Sequence, residues 1–410
     1  MRTPHVLAAL FVFSGAVVVA CGDDDPAAAP PSAAGGMSAG GGSAGSPPAG
    51  GSGGAKDIAP RAGPENVATT YKAWDWVPVK GSLCRNYTET GFAFSAGAGA
   101  DKDKVLVFVE GGNACFNTAS CAVTFHPEGF GVPQFKALAD LYEHAGVLDR
   151  ADTKNPFKDW THVIVPYCSG DIFAGNKADV VIADETYVFQ GYKNVGLFLD
   201  AAAPKMAGAT QIVLAGISAG GFGSAFNFDR VAEKFAGTPL TVIDDSGPPM
   251  ATTWLTPCLQ KKFDSVWNAS SNIPADCVGC KKEDGSFIEG YISYVLEKRK
   301  GSRFGLISSR GDSTISTFWS FGNNNCADDF ITDYPVEKYQ AGLVDIRDRG
   351  LASAPNARVF YLEGNGHVFI VPSDEKPRSV ADVKSGTETL GDWLAGAIDG
   401  GAKWKTVSSF

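Results

Sequence analysis

The sequence predicts an α/β protein built on a mostly parallel β-sheet with helices on both faces. Two observations support this prediction: short apolar, β-branched stretches recur along the chain, and segments of helix length separate them. The six stretches are residues 105–109, 162–165, 211–215, 240–243, 304–307 and 359–362. Such alternation is typical of parallel sheets, in which the connection between two neighbouring strands carries a helix. Functional residues of open α/β sheets gather just beyond the carboxyl ends of the strands, and here most of these ends carry glycine and polar residues.

The third predicted strand leads into a Gly-x-Ser-x-Gly motif centred on Ser218. The same pattern occurs at Ser38, Ser43 and Ser52, but these residues lie in a Gly/Ala/Ser/Pro tract that cannot bury a core. After Ser218, apolar residues recur at near-helical spacing as far as Phe235. A strand, a sharp turn and a helix form the nucleophile elbow of α/β hydrolases. We therefore predict an α/β-hydrolase-like fold with Ser218 as the nucleophile.

A serine hydroxyl needs a base that accepts its proton, and His367 is the only one of the five histidines that follows Ser218. In α/β hydrolases the catalytic residues follow the order Ser, acid, His along the chain, so His367 is the predicted base. It comes just after the last predicted strand, behind the turn-forming residues Gly364, Asn365 and Gly366.

The acid of the triad usually follows the second strand after the nucleophile strand, which here is residues 304–307. Asp312 lies in that position, and we expect it to orient His367 and to stabilise its protonated form. Asp244 and Asp245 follow one strand earlier and remain alternatives, although they could equally serve a turn or a helix cap.

Acyl transfer also requires N–H donors that stabilise the developing oxyanion. One donor is expected from Ala219, directly after the nucleophile, and the others from the loop that follows strand 105–109. That loop contains Gly112 and Asn113, and glycine there leaves backbone N–H groups open to a substrate. A tight turn without catalytic meaning is the alternative interpretation.

The chain divides into three predicted parts. Residues 1–21 resemble a secretory signal that ends in Val-Val-Ala-Cys, a pattern similar to the bacterial lipobox, so Cys21 is a candidate for lipidation. Residues 22–62 form a Gly/Ala/Ser/Pro tether, and residues 63–410 form one catalytic domain. An ordinary secretory signal cut nearby is the alternative for the first part.

Nine cysteines agree with export, because eight remain for disulfides once Cys21 is set aside. We expect a disulfide between Cys115 and Cys121, and a structural disulfide rather than a metal role for Cys277 and Cys280. The formal net charge of −10 argues against a nucleic-acid partner, because phosphate binding requires clustered Lys and Arg.

Several short motifs resemble the pectin acetylesterase and Notum family of carboxylesterases. They are Val-Glu-Gly-Gly-Asn-Ala-Cys at 109–115, Pro-Tyr-Cys-Ser-Gly-Asp at 166–171, Gly-Ile-Ser-Ala-Gly-Gly at 216–221 and Asp-Asp-Ser-Gly at 244–247. The resemblance implies a triad of Ser218, Asp312 and His367, with an oxyanion hole from Gly112, Asn113 and Ala219. Many relatives carry tryptophan at the position of Asn113, so the substrate of those relatives cannot simply be assigned to this chain.

These observations predict a serine carboxylesterase that removes acyl groups, acetyl above all, from polysaccharide or from a small ester. No cofactor or metal is implied. We expect the protein to be exported and held at a bacterial cell envelope by its lipid alone. Two alternatives remain: an esterase for longer acyl chains or polyesters, and a surface protein that binds glycans on a hydrolase scaffold without catalysis. Phe318, Trp319 and Phe321 could stack on sugar rings or pack in the core.

Overall fold

The computed structural model describes residues 72–351, 354–371 and 379–410. The predicted signal segment 1–21 with Cys21 and the predicted tether 22–62 lie outside the described residues. Within the described ranges, no helix combines the length and the apolar character that a membrane span requires.

Twelve strands are present in the described part of the chain: β1 (Asp75–Leu83), β2 (Glu89–Ser95), β3 (Lys104–Val109), β4 (Thr161–Val165), β5 (Lys177–Ile182), β6 (Glu185–Phe189), β7 (Gln211–Ile217), β8 (Leu240–Asp245), β9 (Arg303–Ser309), β10 (Ala357–Leu362), β11 (Lys384–Ser385) and β12 (Glu388–Thr389). The α-helices of the same part are α1 (Thr118–Ala122), α2 (Val132–Glu143), α3 (Gly191–Ala202), α4 (Ala219–Phe226), α5 (Phe228–Lys234), α6 (Pro257–Trp267), α7 (Ile288–Lys298), α8 (Ser313–Ser320), α9 (Val336–Asp345) and α10 (Leu390–Asp399).

The main sheet has eight strands in the order β1-β2-β4-β3-β7-β8-β9-β10. The strands from β4 to β10 in this order pair in parallel, whereas β1 pairs with β2 and β2 with β4 in antiparallel fashion. All six predicted strands lie in the parallel part, so the predicted fold class is confirmed. The edge strand β1 was not predicted, because Pro78 and Lys80 interrupt its apolar pattern, as is typical of edge strands. Its neighbour β2 was not predicted either.

The sheet is buried on both faces, as the β3 side chains show. Val105 and Val107 pack in one apolar core with residues of α3, α4 and α7. Leu106 and Phe108 pack on the opposite face, in a second core that includes Trp393 of α10. Successive side chains of a strand point to opposite faces, and a strand covered by helices on both sides therefore reads as a continuous apolar run. This explains why the inner strands were visible in the sequence.

Four disulfides join the cysteines that follow Cys21: Cys84–Cys168, Cys115–Cys121, Cys258–Cys326 and Cys277–Cys280. The structure thus contains the two pairings expected from the sequence. The pair Cys115–Cys121 joins the loop after β3 to α1, and Cys258–Cys326 joins the start of α6 to the segment that follows α8. Both therefore constrain the edge of the sheet where the strands end.

Candidate active site

Ser218 lies in the sharp turn between β7 and α4. Its backbone angles, φ 55° and ψ −120°, are unusual for a residue other than glycine and cost about 1–3 kcal/mol. The turn brings strand and helix so close that a Cβ atom on Gly220 would overlap the carbonyl oxygen of Val109. A Cβ atom on Gly216 would likewise overlap the carbonyl oxygen of Gly220. This is the backbone geometry expected of a nucleophile elbow, and it places Ser218 at the N-terminus of α4.

Asp312 and His367 meet beyond the ends of β9 and β10. Nδ1 of His367 lies 2.8 Å from Oδ2 of Asp312, and because a carboxylate only accepts, the ring nitrogen donates this hydrogen bond. The other oxygen of Asp312, Oδ1, accepts from the N–H of Ile315 at 2.9 Å and so caps α8. Asp312 is fully buried. The cap fixes the carboxylate, and the carboxylate in turn fixes the orientation of the imidazole.

The second ring nitrogen of His367, Nε2, is buried and has no hydrogen-bond partner among the described residues. Burial lowers the pKa of His367, but the charge of Asp312, its hydrogen bond and the charge of Asp245 raise the pKa by more, so the net direction is upward. The ring thus combines an open acceptor position with an environment that stabilises its protonated form. Both properties suit a general base that must hold a proton briefly.

The loop after β3 passes directly beside Ser218. An ideal Cβ atom built on Gly111 would lie 3.0 Å from Cβ of Ser218, a distance that leaves no room for a side chain. Among the described residues, none accepts a hydrogen bond from the N–H of Gly112 or Asn113. The N–H of Ala219 is likewise free of an intrahelical acceptor, because it begins α4. The N–H groups of the three predicted donors are therefore uncommitted, and two of these residues, Asn113 and Ala219, line the same pocket as Ser218.

Asn113 adopts a left-handed backbone conformation with φ 69°, which asparagine tolerates better than most residues. Its side-chain amide donates to the carbonyl oxygen of Val123 at 2.7 Å, beyond the end of α1. The Asn113 carboxamide thus holds the loop against α1 and leaves its backbone N–H available.

Glu110 supports the same loop from beneath. Its carboxyl group is buried, accepts from the N–H of Tyr167 at 2.9 Å, and also accepts from the hydroxyl of Tyr142. Burial raises the pKa of Glu110 to about 8, although the hydrogen bond from Tyr167 opposes the shift. Burial therefore disfavours the charged form of this carboxyl group, which lies directly before the loop residues Gly111 and Gly112.

The two alternative acids contact other groups. Asp244 accepts from the N–H of Gly247 at 2.8 Å, and Asp245 accepts from the backbone N–H groups of Phe369 and Ile370 at 2.6 and 2.7 Å. Among the described residues, the ring of His367 forms a hydrogen bond only with Asp312. Asp312 is therefore hydrogen-bonded to the imidazole, and neither alternative acid is.

An apolar pocket opens beside Ser218. Its lining residues come from the loops after β3 and β4, from the turn at Ser218 and from four helices, and they include Asn113, Ala219, Phe222, Phe263, Trp267, Ile315, Phe318 and Trp319. The cavity measures about 30 Å³. Within the described ranges no group of His, Cys, Asp and Glu side chains is arranged to hold a metal ion.

The sequence model of the family described as Pectinacetylesterase matches residues 70–297, more than half of the chain. The chain belongs to the pectinacetylesterase family. It is 24% identical to pectin acetylesterase 11 of Arabidopsis thaliana over 228 residues, which are 53% of this chain and 57% of that protein. It is 30% identical to the palmitoleoyl-protein carboxylesterase notum2 of Xenopus laevis over 156 residues, or 36% and 30% of the two chains. The matched segments thus span about half or less of these relatives.

Among solved structures, the Wnt deacylase Notum from Drosophila superposes with a TM-score of 0.59. The superposition covers 81% of this chain and 94% of that chain, at 18% sequence identity. At this level of identity the likeness concerns the fold, and it supports an α/β-hydrolase architecture for this member of the pectinacetylesterase family.

Part of the pocket wall in this member of the pectinacetylesterase family was not predicted from the sequence. Phe263 and Trp267 lie four residues apart on α6, a spacing that indicates a helix face packed in the core. The indole N–H of Trp267 donates to the carbonyl oxygen of Cys115 at 2.7 Å, so α6 is tied to the loop after β3. Of the three aromatic residues flagged after β9, Phe318 and Trp319 line the pocket, whereas Phe321 packs against Phe116. No local pattern in the sequence distinguishes the two aromatic residues that line the pocket from the one that packs against Phe116.

Proposed function

We propose that the protein is a serine carboxylesterase that removes short acyl groups, acetyl above all, through an acyl-enzyme on Ser218. The observation that carries this proposal is the hydrogen bond between His367 and Asp312, because it joins the candidate base to a candidate acid. The ring of His367 forms no hydrogen bond with Ser218 in the structure, and the two segments are linked through Asp245, which accepts from the N–H groups of Ser218 and Phe369. Membership of the pectinacetylesterase family supports hydrolysis of an ester.

In the first half of the reaction, Nε2 of His367 accepts the proton of Ser218 as the serine oxygen attacks the ester carbonyl carbon. The carbonyl oxygen becomes an oxyanion that accepts from the N–H groups of Gly112, Asn113 and Ala219. The carbon–oxygen bond to the alcohol then breaks, and the protonated His367 returns the proton to the leaving alcohol.

The second half repeats these steps with water. His367 accepts a proton from water, the resulting hydroxide attacks the acyl-enzyme, and the acid leaves as Ser218 recovers its proton. Asp312 keeps the proton on Nδ1 throughout and stabilises the imidazolium in both halves. The chemistry uses only side chains and backbone groups of this chain.

The pocket supports an acetyl group as the acyl part. A cavity of about 30 Å³ holds about two groups the size of a water molecule, which suits a methyl group. Phe222, Phe263, Trp267, Phe318 and Trp319 form much of its wall, and we expect these bulky side chains to hinder a longer chain. The predominantly apolar lining is the feature that would favour the longer-chain alternative, so acyl length must be tested directly.

Acyl-chain selectivity is the first prediction. We expect kcat/KM for p-nitrophenyl acetate to exceed that for the octanoyl ester by about 100-fold, since surplus methylenes find no room. Phe318→Ala should raise the octanoyl to acetyl ratio about 10-fold by removing one wall. Phe330→Ala is the matched control, because Phe330 is 59% exposed and lies outside the pocket. A wild-type preference for octanoyl would replace the acetyl proposal with the longer-chain one.

The alcohol part is proposed to be a polysaccharide, by similarity to relatives named pectin acetylesterase. The formal net charge of −10 disfavours a strongly anionic polymer, so an acetylated neutral glycan is the better candidate. Acetate release should be compared between acetylated xylan, acetylated glucomannan and acetylated pectin, with Ser218→Ala as the blank. Release from small esters alone would limit the proposal to a small-molecule esterase.

We also propose that the protein is exported and anchored by a lipid on Cys21, a residue outside the described part of the chain. Four disulfides in the described domain support an oxidising compartment. In a bacterial host, Cys21→Ala should move the protein from the membrane fraction to the soluble exported fraction. Cys21→Ala remaining with the membrane, or wild type that incorporates no labelled fatty acid, would contradict the anchor.

A further inference from the structure

Asp245 contacts both of the segments that carry the proposed nucleophile and base. Its carbonyl oxygen accepts from the N–H of Ser218 at 2.7 Å. Its carboxylate oxygen Oδ2 accepts from the N–H groups of Phe369 and Ile370 at 2.6 and 2.7 Å, just after His367. Asp245 is fully buried at the end of β8, so these contacts are shielded from water. A single residue thus connects the turn at Ser218 with the loop of His367.

Ser246 adds a second connection to the same loop. Its hydroxyl donates to Oδ1 of Asp245 at 3.0 Å and accepts from the N–H of Val368 at 3.2 Å. Its own N–H donates to the carbonyl oxygen of Ile307 on β9 at 2.8 Å. Three consecutive backbone N–H groups after His367 are therefore held by the pair Asp245 and Ser246, which we name the Asp245–Ser246 bridge.

The bridge holds backbone that would otherwise relax. Val368 has φ 59°, and a β-branched residue in the left-handed region is a conformational outlier. Ser218 and Ser246 also have positive φ, at 55° and 67°. Strained backbone of this kind persists only where surrounding contacts fix it, and here the contacts that fix Val368 come from the bridge.

We propose that Asp245 is a positioning residue of this esterase, which sets the separation of Ser218 and His367 by holding both backbones. The inference rests on the proposed function for its catalytic meaning, but the contacts themselves can be tested without activity. Asp245 touches no reacting atom in this proposal, and it acts through the loop of His367.

The charged groups that face His367 are Asp312, after β9, and Asp245, the last residue of β8. Burial raises the pKa of Asp245 to about 6. The N–H groups of Ile370 and Phe369, the Ser246 hydroxyl and the charge of His367 lower this pKa, but by less than burial raises it. Above that pH the bridge carries a negative charge that favours the protonated imidazole. Asp245 therefore influences His367 by charge as well as by position.

The test compares Asp245→Ala, which removes the acceptor, with Asp245→Asn, which keeps an acceptor oxygen and removes the charge. Asp244→Asn is the matched control, because Asp244 is equally buried, adjacent in sequence and bonded to neither segment. We expect Asp245→Ala to lower kcat on p-nitrophenyl acetate by about 100-fold with little change in KM, the cost of a misplaced base. Asp245→Asn should recover most of kcat and shift the acid limb of kcat/KM to lower pH.

Amide hydrogen exchange provides a readout that does not depend on esterase activity. Exchange in the peptide containing Val368, Phe369 and Ile370 should accelerate in Asp245→Ala and stay near wild type in Asp244→Asn. Unchanged exchange together with unchanged kcat in Asp245→Ala would overturn the proposal. If Asp245→Ala does not fold, an acid limb in Asp245→Asn identical to that of Asp244→Asn overturns it instead. A wild type without esterase activity would refute the proposed function, while the exchange experiment would still decide the bridge.

Discussion

Ser218→Ala is expected to lower kcat on p-nitrophenyl acetate by about 10⁶, to the level left by binding and by the oxyanion donors. The expected loss is this large because the proposed nucleophile, base and acid would act as one unit, and without the serine hydroxyl His367 would have no nucleophile to activate for acyl transfer. The substitution removes one oxygen atom from a residue that is 8% exposed, and the backbone of the turn can stay as it is.

Ser224→Ala is a suitable control for this prediction. Ser224 is buried on the same helix, and its hydroxyl donates to the carbonyl oxygens of Gly221 and Ile243, away from the pocket. A loss restricted to Ser218→Ala would attribute the effect to chemistry. Turnover near wild type in Ser218→Ala would end the proposed mechanism. Failure of a fluorophosphonate to label Ser218 in the wild type would instead favour the glycan-binding alternative without catalysis.

Asp312→Asn is expected to lower kcat by about 10⁴. Asparagine can keep the cap on α8, because its oxygen can accept from the N–H of Ile315 as Oδ1 of Asp312 does. Its amide nitrogen would then face Nδ1 of His367, where the carboxylate now accepts. That donor favours the tautomer with the proton on Nε2, which cannot take a proton from Ser218. The fold should survive, and the loss should appear in kcat.

The pH dependence of Asp312→Asn distinguishes two effects of the substitution: the loss of negative charge at residue 312 and the change of tautomer at His367. In the wild type the charges of Asp312 and Asp245 outweigh burial and raise the pKa of His367 above its ordinary 6.5. A base must be neutral, so activity should rise with pH through that raised pKa, and the acid limb of kcat/KM should lie above pH 6.5. Removing the charge of Asp312 should move the limb to lower pH. An acid limb that stays in place in Asp312→Asn would show that another group controls it.

Asp244→Asn provides the comparison for Asp312→Asn. Asp244 was an alternative acid on sequence grounds, it is fully buried, and burial raises its pKa well above the usual range. Asparagine preserves the acceptor for the N–H of Gly247. We expect kcat close to that of the wild type and an unmoved acid limb. A loss in Asp244→Asn as large as that in Asp312→Asn would reassign the acid.

The inner strands of the sheet were predictable because strands buried on both faces must be apolar along their whole length. For this reason the strands at residues 105–109 and 211–215 could be predicted without tertiary information. The edge strand β1 was not predictable in the same way. Its Pro78 and Lys80 are tolerated only because few neighbours cover an edge.

Chain order carried the choice of Ser218 and His367, since a glycine-flanked serine after a strand and a lone later histidine leave few alternatives. The choice among Asp312, Asp244 and Asp245 was different. All three follow strands of the same parallel sheet, so their side chains reach the same edge, and spacing along the chain cannot say which one reaches the imidazole.

The sequence by itself determined the fold class, the strand that leads into the candidate nucleophile Ser218, and the set of candidate residues for a triad. These properties depend on local patterns of burial and turn formation, which neighbouring residues set. Only the tertiary structure decided that the His367 ring contacts Asp312, that Asp245 holds two distant segments, and that Trp267 closes a pocket beside Ser218. Each of these contacts joins residues at least 27 positions apart in the chain, and their directions depend on how helices cross the sheet.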